Sequence, residues 1–292
     1  MKQLIGTGVA LVTPFQQDGT VDYAALENLV NYSIDGGVEY LVILGTTAEA
    51  ATLTKDEKKQ VIETIKKANA NRVPMVLGIG GNNTAEVINE YKETDLSDYI
   101  AVLTVSPYYN KPNQEGIYQH YKAIAESTDA NIILYNVPGR TGSNISADTT
   151  IRLANEFKNI VAIKEASPDF LQSTDIIRKN TREDFNIISG DDEFAVPMTL
   201  AGGSGVISVI GQGVPTVFTD MIRKAINKEV VAAYEGHYKV VEITRAIFEE
   251  GNPCGIKAVL DKKGVCKPFT RLPLVPASAN LTTKINQLLS NI

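Results

Sequence analysis

A lysine at the end of an apolar run is the residue best placed for covalent chemistry. The run Ile160-Val161-Ala162-Ile163 leads into Lys164, followed by Glu165-Ala166-Ser167. A poorly hydrated amine in such a place is a nucleophile for a carbonyl, with which it forms a Schiff base. The same residue also reads as a snorkelling lysine, or as the buried ion-pair partner of Glu165. The preceding run ends Leu134-Tyr135-Asn136-Val137-Pro138-Gly139-Arg140-Thr141. A phenol beside the amine could carry protons as a positioned general acid and base; otherwise Tyr135 is a core tyrosine with a satisfied hydroxyl. Arg140, past Pro138, offers a fork-shaped cation suited to a carboxylate, or is an ordinary surface arginine.

Other polar segments are weaker. Gly45-Thr46-Thr47-Ala48-Glu49 combines a glycine, two hydroxyls and free backbone amides, which makes either a small anion cradle or a plain turn. Ser106-Pro107-Tyr108-Tyr109-Asn110-Lys111-Pro112 sets two tyrosines in a Pro-rich loop, for packing or for an oligomer contact. His120 and His237 fall on expected helices with no metal-like cluster around them, which argues against a zinc site or a His-based triad. Ser189-Gly190-Asp191-Asp192 could ligate a cation, but acidic residues there read better as a helix cap. Gly202-Gly203-Ser204-Gly205 resembles a phosphate loop yet precedes a strand instead of following one.

The elements that must position these residues alternate. Short apolar, β-branched runs occupy 8–12, 40–44, 73–77, 99–103, 131–134, 160–163, 185–188 and 205–209. None shows the in-and-out alternation of a half-solvated sheet, so they read as buried parallel strands. Amphipathic helical segments lie between them, at 23–34, 54–68, 83 or 84 to 94, 114–127, 146–156, 170–178, 193–201 and 215–227. Leu26, Leu29, Val30 and Ile34 share one stripe of the first, and Thr54 with Glu57 forms a capping-box signature at the second. Strand then helix, repeated eight times, predicts a (β/α)₈ barrel over 1–227. An open doubly wound sheet fits less well, because no G-x-G-x-x-G turn follows the first strand. Residues 228–292 read as helices only, at 230–250, 253–263 and 279–289, forming a C-terminal extension packed on the barrel. In such barrels catalytic groups sit at the C-terminal ends of strands, which is where Lys164, Tyr135 and the Gly45 turn fall.

Composition narrows the rest. The chain has 292 residues, 43% hydrophobic and 21% charged, and a barrel of this type commonly takes about 250 as one unit. A net charge of −6 with scattered Lys and Arg excludes a nucleic-acid surface. The lysines at 55, 58, 59, 66 and 67 alternate with acidic residues on a solvated helix face. No apolar stretch approaches the roughly 20 residues of a bilayer span, and the apolar N-terminus lacks the features of a signal peptide. Only Cys254 and Cys266 are present, which fits a reducing, cytoplasmic compartment.

Taken together these segments resemble the dihydrodipicolinate synthase / N-acetylneuraminate lyase superfamily of class I aldolases. The resemblance runs from Gly8-Val9-Ala10-Leu11-Val12-Thr13-Pro14-Phe15 through the Gly45, Ser106, Tyr135 and Ile163-Lys164-Glu165-Ala166-Ser167 segments. It continues through Ser189-Gly190-Asp191-Asp192, Gly205-Val206-Ile207-Ser208 and Arg271-Leu272-Pro273. It implies a lyase that condenses pyruvate with aspartate semialdehyde in lysine and diaminopimelate biosynthesis. Lys164 would form the Schiff base, and Thr46 and Tyr135 would relay protons with Tyr109 from a neighbouring subunit. Thr47 would hold the pyruvate carboxylate and Arg140 that of the semialdehyde, while Gly190 and Ile207 would give main-chain contacts near the lysine. It further implies no organic cofactor or catalytic metal, and a homotetramer built as a dimer of dimers. The alternative within the superfamily is cleavage of N-acetylneuraminate or a 2-keto-3-deoxy acid, and Arg140 separates the condensing branch from that one.

Three departures from the family pattern stand out. Ala48 replaces the glycine of G-T-T-G-E, Pro168 replaces a glycine, and Asn252-Pro253-Cys254-Gly255-Ile256-Lys257 follows N-P-x-P-x-K only in part. Ala48 is expected to affect pyruvate affinity and the other two to lie farther from the chemistry. The positions matching the family's allosteric lysine site are Ala50, Ala51, Lys55, Lys58, Asn82, Glu86 and Tyr108. Lys55 and Lys58 would put ammonium groups near a cationic ligand, so weak or absent inhibition by lysine is expected.

Overall fold

The computed structural model describes residues 1–292. Eight strands follow one another around a closed parallel barrel: β1 (Gly6–Ala10), β2 (Tyr40–Ile43), β3 (Met75–Gly78), β4 (Ala101–Val105), β5 (Ile132–Asn136), β6 (Ile160–Glu165), β7 (Asn186–Ser189) and β8 (Gly205–Ser208). Nearly every residue in them is buried, as parallel strands covered on both faces must be. The helices are α1 (Tyr23–Asp35), α2 (Lys55–Asn69), α3 (Thr84–Glu93), α4 (Gln114–Ala125), α5 (Pro138–Thr141) and α6 (Ala147–Glu156). They continue with α7 (Phe170–Lys179), α8 (Ala195–Ala201), α9 (Pro215–Ile226), α10 (Val230–Ala246), α11 (Cys254–Lys262) and α12 (Ala279–Leu289).

The chain divides into two compact units. One comprises Met1–Ile5 and Met75–Ile207, the other Gly6–Pro74 and Ser208–Ile292. Within the first, β4, β5, β6 and β7 pair in register, with Tyr135 opposite Lys164 and Lys164 opposite Ile188. Within the second, β1 pairs with β2, and in the extension α10 packs on α9 and on α12, while α11 packs on α12.

Local chemistry explains the boundaries. Asp22, Thr54, Asn83, Asn113, Ser146, Asp169 and Ser278 each accept a backbone N–H at a helix start, and Thr54 with Glu57 makes the full capping box. Gly8 is required because a Cβ there would stand 2.1 Å from the Tyr40 ring.

Several boundaries differ from the sequence reading. β5 and β6 run two residues further, through Tyr135-Asn136 and Lys164-Glu165, because the ladder between them continues there, with Tyr135 paired to Lys164 and Asn136 to Glu165. The helix expected from 193 begins at Ala195, and its N-cap residue, Phe194, makes no side-chain cap. Asp191 instead closes a local turn by accepting the Glu193 N–H at 2.8 Å, so the reading of this acidic pair as a helix cap is corrected. Single turns at Thr46–Ala48, Ala50–Thr52 and Ile210–Gln212, and the four-residue α5, had no periodicity by which to be seen.

Candidate active site

Strand alternation sorts the residues at the end of β6. Side chains at successive positions face opposite ways, so Lys164 and Glu165 must part company. Lys164 is only 5% exposed, and its Nζ lies 4.5 Å from the centroid of the Tyr135 ring, the in-register neighbour on β5. Neither the ammonium nor the Tyr135 hydroxyl has a hydrogen-bond or ion-pair partner in the protein. Glu165 turns to the other face, where it meets Asn136, again its in-register neighbour. Both its oxygens accept from Asn136 Nδ2 (2.9 and 3.0 Å), one also from the Ser167 N–H (2.7 Å) and the other from Gln172 Nε2 (2.9 Å). Burial still pushes the Glu165 carboxyl above the ordinary carboxylate range, with these donors opposing the shift. The reading of Lys164 as the ion-pair partner of Glu165 is thereby corrected.

A wider amide network holds β5 and β6 together behind the lysine. Asn136 donates to Asn144 Oδ1 at 2.7 Å and accepts the Ile145 N–H at 2.9 Å, while Asn144 and Gln172 exchange bonds of 2.7 and 3.1 Å. Sequence reasoning missed this network, because amides and a glutamate scattered over 136–172 carry no periodic signal. Gly190 packs directly on the lysine stem. A Cβ at position 190 would lie 2.6 Å from that of Ala166 and 3.0 Å from Lys164 Cγ and Cε. Its N–H also donates to the Glu165 carbonyl at 2.7 Å. Ile207 is fully buried on β8.

Arg140 projects from α5, exposed, and its guanidinium has no carboxylate partner in the chain. Tyr109 is 91% exposed on a loop whose backbone is left-handed at Tyr109 (φ 74°) and Lys111 (φ 48°). Asn82 donates to the Tyr108 carbonyl and, at 3.0 Å, to Asn110 Oδ1, so its amide is committed to this loop. Glu86 is exposed on the first turn of α3.

In the other unit the Gly45 turn is a single 3₁₀ turn over Thr46–Ala48. Thr46 is exposed, whereas Thr47 and Ala48 are buried and Glu49 takes a left-handed conformation (φ 53°). Ala50 continues into the next turn and Lys55 opens α2. Thr47 Oγ1 accepts from Asn252 Nδ2 at 2.9 Å, and Glu49 pairs with Lys257 at 2.6 Å. The Asn252–Lys257 segment thus touches the turn itself, which corrects the expectation that it lies farther from the chemistry. One signal was available: Lys257 is the only charged residue in the apolar stretch Pro253-Cys254-Gly255-Ile256-Lys257-Ala258-Val259-Leu260.

A parallel barrel that carries an unpaired, buried amine under a phenol near the end of one strand is built as a carbonyl-binding lyase of the aldolase type. The chain belongs to the dihydrodipicolinate synthetase family, whose profile matches residues 3–292. A 4-hydroxy-tetrahydrodipicolinate synthase of Flavobacterium psychrophilum is 54% identical over 98% of this chain and 97% of its own. The solved dihydrodipicolinate synthase of Acinetobacter baumannii, complexed with pyruvate, is 40% identical with a TM-score of 0.94, covering 99% of this chain and 98% of that one. A protein described as the first monomeric dihydrodipicolinate synthase variant superposes with a TM-score of 0.95 at 38% identity, over 99% of this chain and 97% of that one.

Proposed function

We propose that the chain condenses pyruvate with L-aspartate 4-semialdehyde to give 4-hydroxy-tetrahydrodipicolinate, in lysine and diaminopimelate biosynthesis. The observation that carries this is the in-register pair of Tyr135 and Lys164, with an amine that no carboxylate neutralises. The Lys164 amine adds to the pyruvate carbonyl and water leaves, giving an iminium whose positive nitrogen is the electron sink. Loss of a methyl proton gives the enamine, whose carbon attacks the semialdehyde aldehyde and regenerates an iminium. The semialdehyde's own amino group then adds to the iminium carbon and expels the Lys164 amine, which closes the ring and frees the lysine. Tyr135, Thr46 and Tyr109 carry the protons, an effect worth about 10²–10⁴ in rate. Thr47 holds the pyruvate carboxylate and Arg140 that of the semialdehyde, with Gly190 and Ile207 lining the lysine. Because the iminium is the electron sink, no organic cofactor or metal enters the reaction. Borohydride reduction in the presence of pyruvate, followed by peptide mapping, should place a reduced adduct on Lys164. An adduct on another lysine, or none, overturns the proposal. Arg140→Ala should abolish use of the semialdehyde while the pyruvate adduct still forms.

The working form is a homotetramer of two tight dimers, in which the exposed Tyr109 reaches a neighbour's site. A reducing cytoplasmic setting accords with two buried, unpaired cysteines. No helix is long and apolar enough to cross a membrane. Lysine inhibits weakly or not at all, since Lys55 and Lys58 bring positive charge to the family's allosteric positions. An inhibition constant well below millimolar would refute that.

A further inference from the structure

The side of Thr47 that faces the C-terminal extension is occupied. Asn252 is 7% exposed and Thr47 3%, and the amide Nδ2 of the first donates to the hydroxyl oxygen of the second. An amide N–H is only a donor, so the hydroxyl must accept this bond and is left to give its own hydrogen elsewhere. The turn around it is held from the same direction. Lys257 is wholly buried, and its ammonium bonds Glu49 Oε1 at 2.6 Å and the Phe269 carbonyl at 2.8 Å, while the Arg271 N–H binds the other Glu49 oxygen at 3.0 Å. These bonds hold Glu49 in a left-handed conformation, which is unfavourable for a residue with a side chain.

We propose that Asn252 is a positioning residue that orients the Thr47 hydroxyl to donate to the pyruvate carboxylate, in a turn clamped by the Lys257–Glu49 pair. This deepens, and rests on, the reading of Thr47 as the carboxylate-holding residue. Its consequence is directional. Asn252→Asp keeps the shape but makes the neighbour an acceptor, which takes the Thr47 hydrogen and adds negative charge beside a carboxylate ligand. Asn252→Ala leaves the hydroxyl free to rotate and should have the smaller effect.

The test is the pyruvate concentration that half-saturates borohydride trapping of Lys164 in the full-length protein, alongside KM and kcat. Asn252→Asp should raise the half-saturating pyruvate roughly tenfold or more, as loss of one charge-assisted hydrogen bond does, with trapping still complete at high pyruvate. Thr47→Val should raise it similarly, and adding the uncharged Asn252→Ala to Thr47→Val should bring no further rise, because that change acts only through the Thr47 hydroxyl. If Thr47→Val raises it but neither Asn252 variant does, Asn252 has no positioning role. If Thr47→Val itself leaves it unchanged, the carboxylate assignment fails instead. Should Asn252→Asp not fold, Asn252→Ala carries the same test, and an unchanged pyruvate requirement in it overturns the proposal.

Discussion

At the scale of single residues, chemistry was legible by type and hidden in its pairing. An apolar run ending in lysine announces a special amine, and a tyrosine ending the neighbouring run announces a proton carrier. Nothing in the sequence says that Tyr135 and Lys164 sit opposite each other while Asn136 and Glu165 meet on the other face, because register depends on strands 29 residues apart. His120 shows the converse, a residue read as helical and unimportant that the fold makes sensitive to pH. Its Nδ1 lies 2.8 Å from Thr84 Oγ1, its Nε2 is buried without a partner, and burial pushes its pKa from 6.5 to about 4. The unfolded chain therefore binds a proton between those values that the folded chain refuses, and stability falls as pH drops through that window. Near pH 5 the loss is about 2 kcal/mol. Denaturant unfolding near pH 7 and near pH 5 should show this drop in the wild type and not in His120→Gln; equal drops in both would refute the assignment.

At the scale of elements, the sequence spoke clearly wherever a helix start has a side-chain cap and poorly wherever an element is one turn long. The capping box of α2 was readable from Thr54 and Glu57 alone. Its anchor was not, because Arg271 lies 214 residues away. The Arg271 guanidinium binds both Glu57 oxygens and also donates to the carbonyls of Gly19 and Thr52, each at 2.8 Å. Hydrogen bonding from Arg271 is the main reason that the Glu57 carboxyl is held down at about 2. A carboxyl so depressed contributes stability that is present above its ordinary value of 4.5 and is lost as pH falls from there to about 2. Arg271→Met should cost roughly 1.5–3 kcal/mol near neutral pH, the scale for a hydrogen bond to a charged group. It should also flatten the acid limb of a stability-versus-pH curve below about pH 4.5. An unchanged acid limb would mean that Arg271 does not set the Glu57 ionisation.

At the scale of the whole molecule, eight alternations of buried strand and amphipathic helix were enough to give the closed parallel barrel, since few other topologies accept that order. What the alternation could not give is how the C-terminal helices are used. They read as a covering layer, yet Asn252 and Lys257 reach the turn that carries Thr47, and Arg271 reaches α2. The largest question at this scale is whether one chain makes a complete site. Tyr109 is 91% exposed, so the proton-relay role proposed for it requires a neighbouring subunit to cover it. Two inactive variants decide the matter. Lys164→Ala lacks the amine but still presents Tyr109, and Tyr109→Phe keeps the amine but presents no phenol. Denatured together and refolded, the two should regain activity, because in a mixed dimer the first subunit's tyrosine completes the second subunit's site. With random pairing and one working site per mixed dimer, about a quarter of the sites recover. A tyrosine serving its own subunit would give no recovery above the two variants refolded apart.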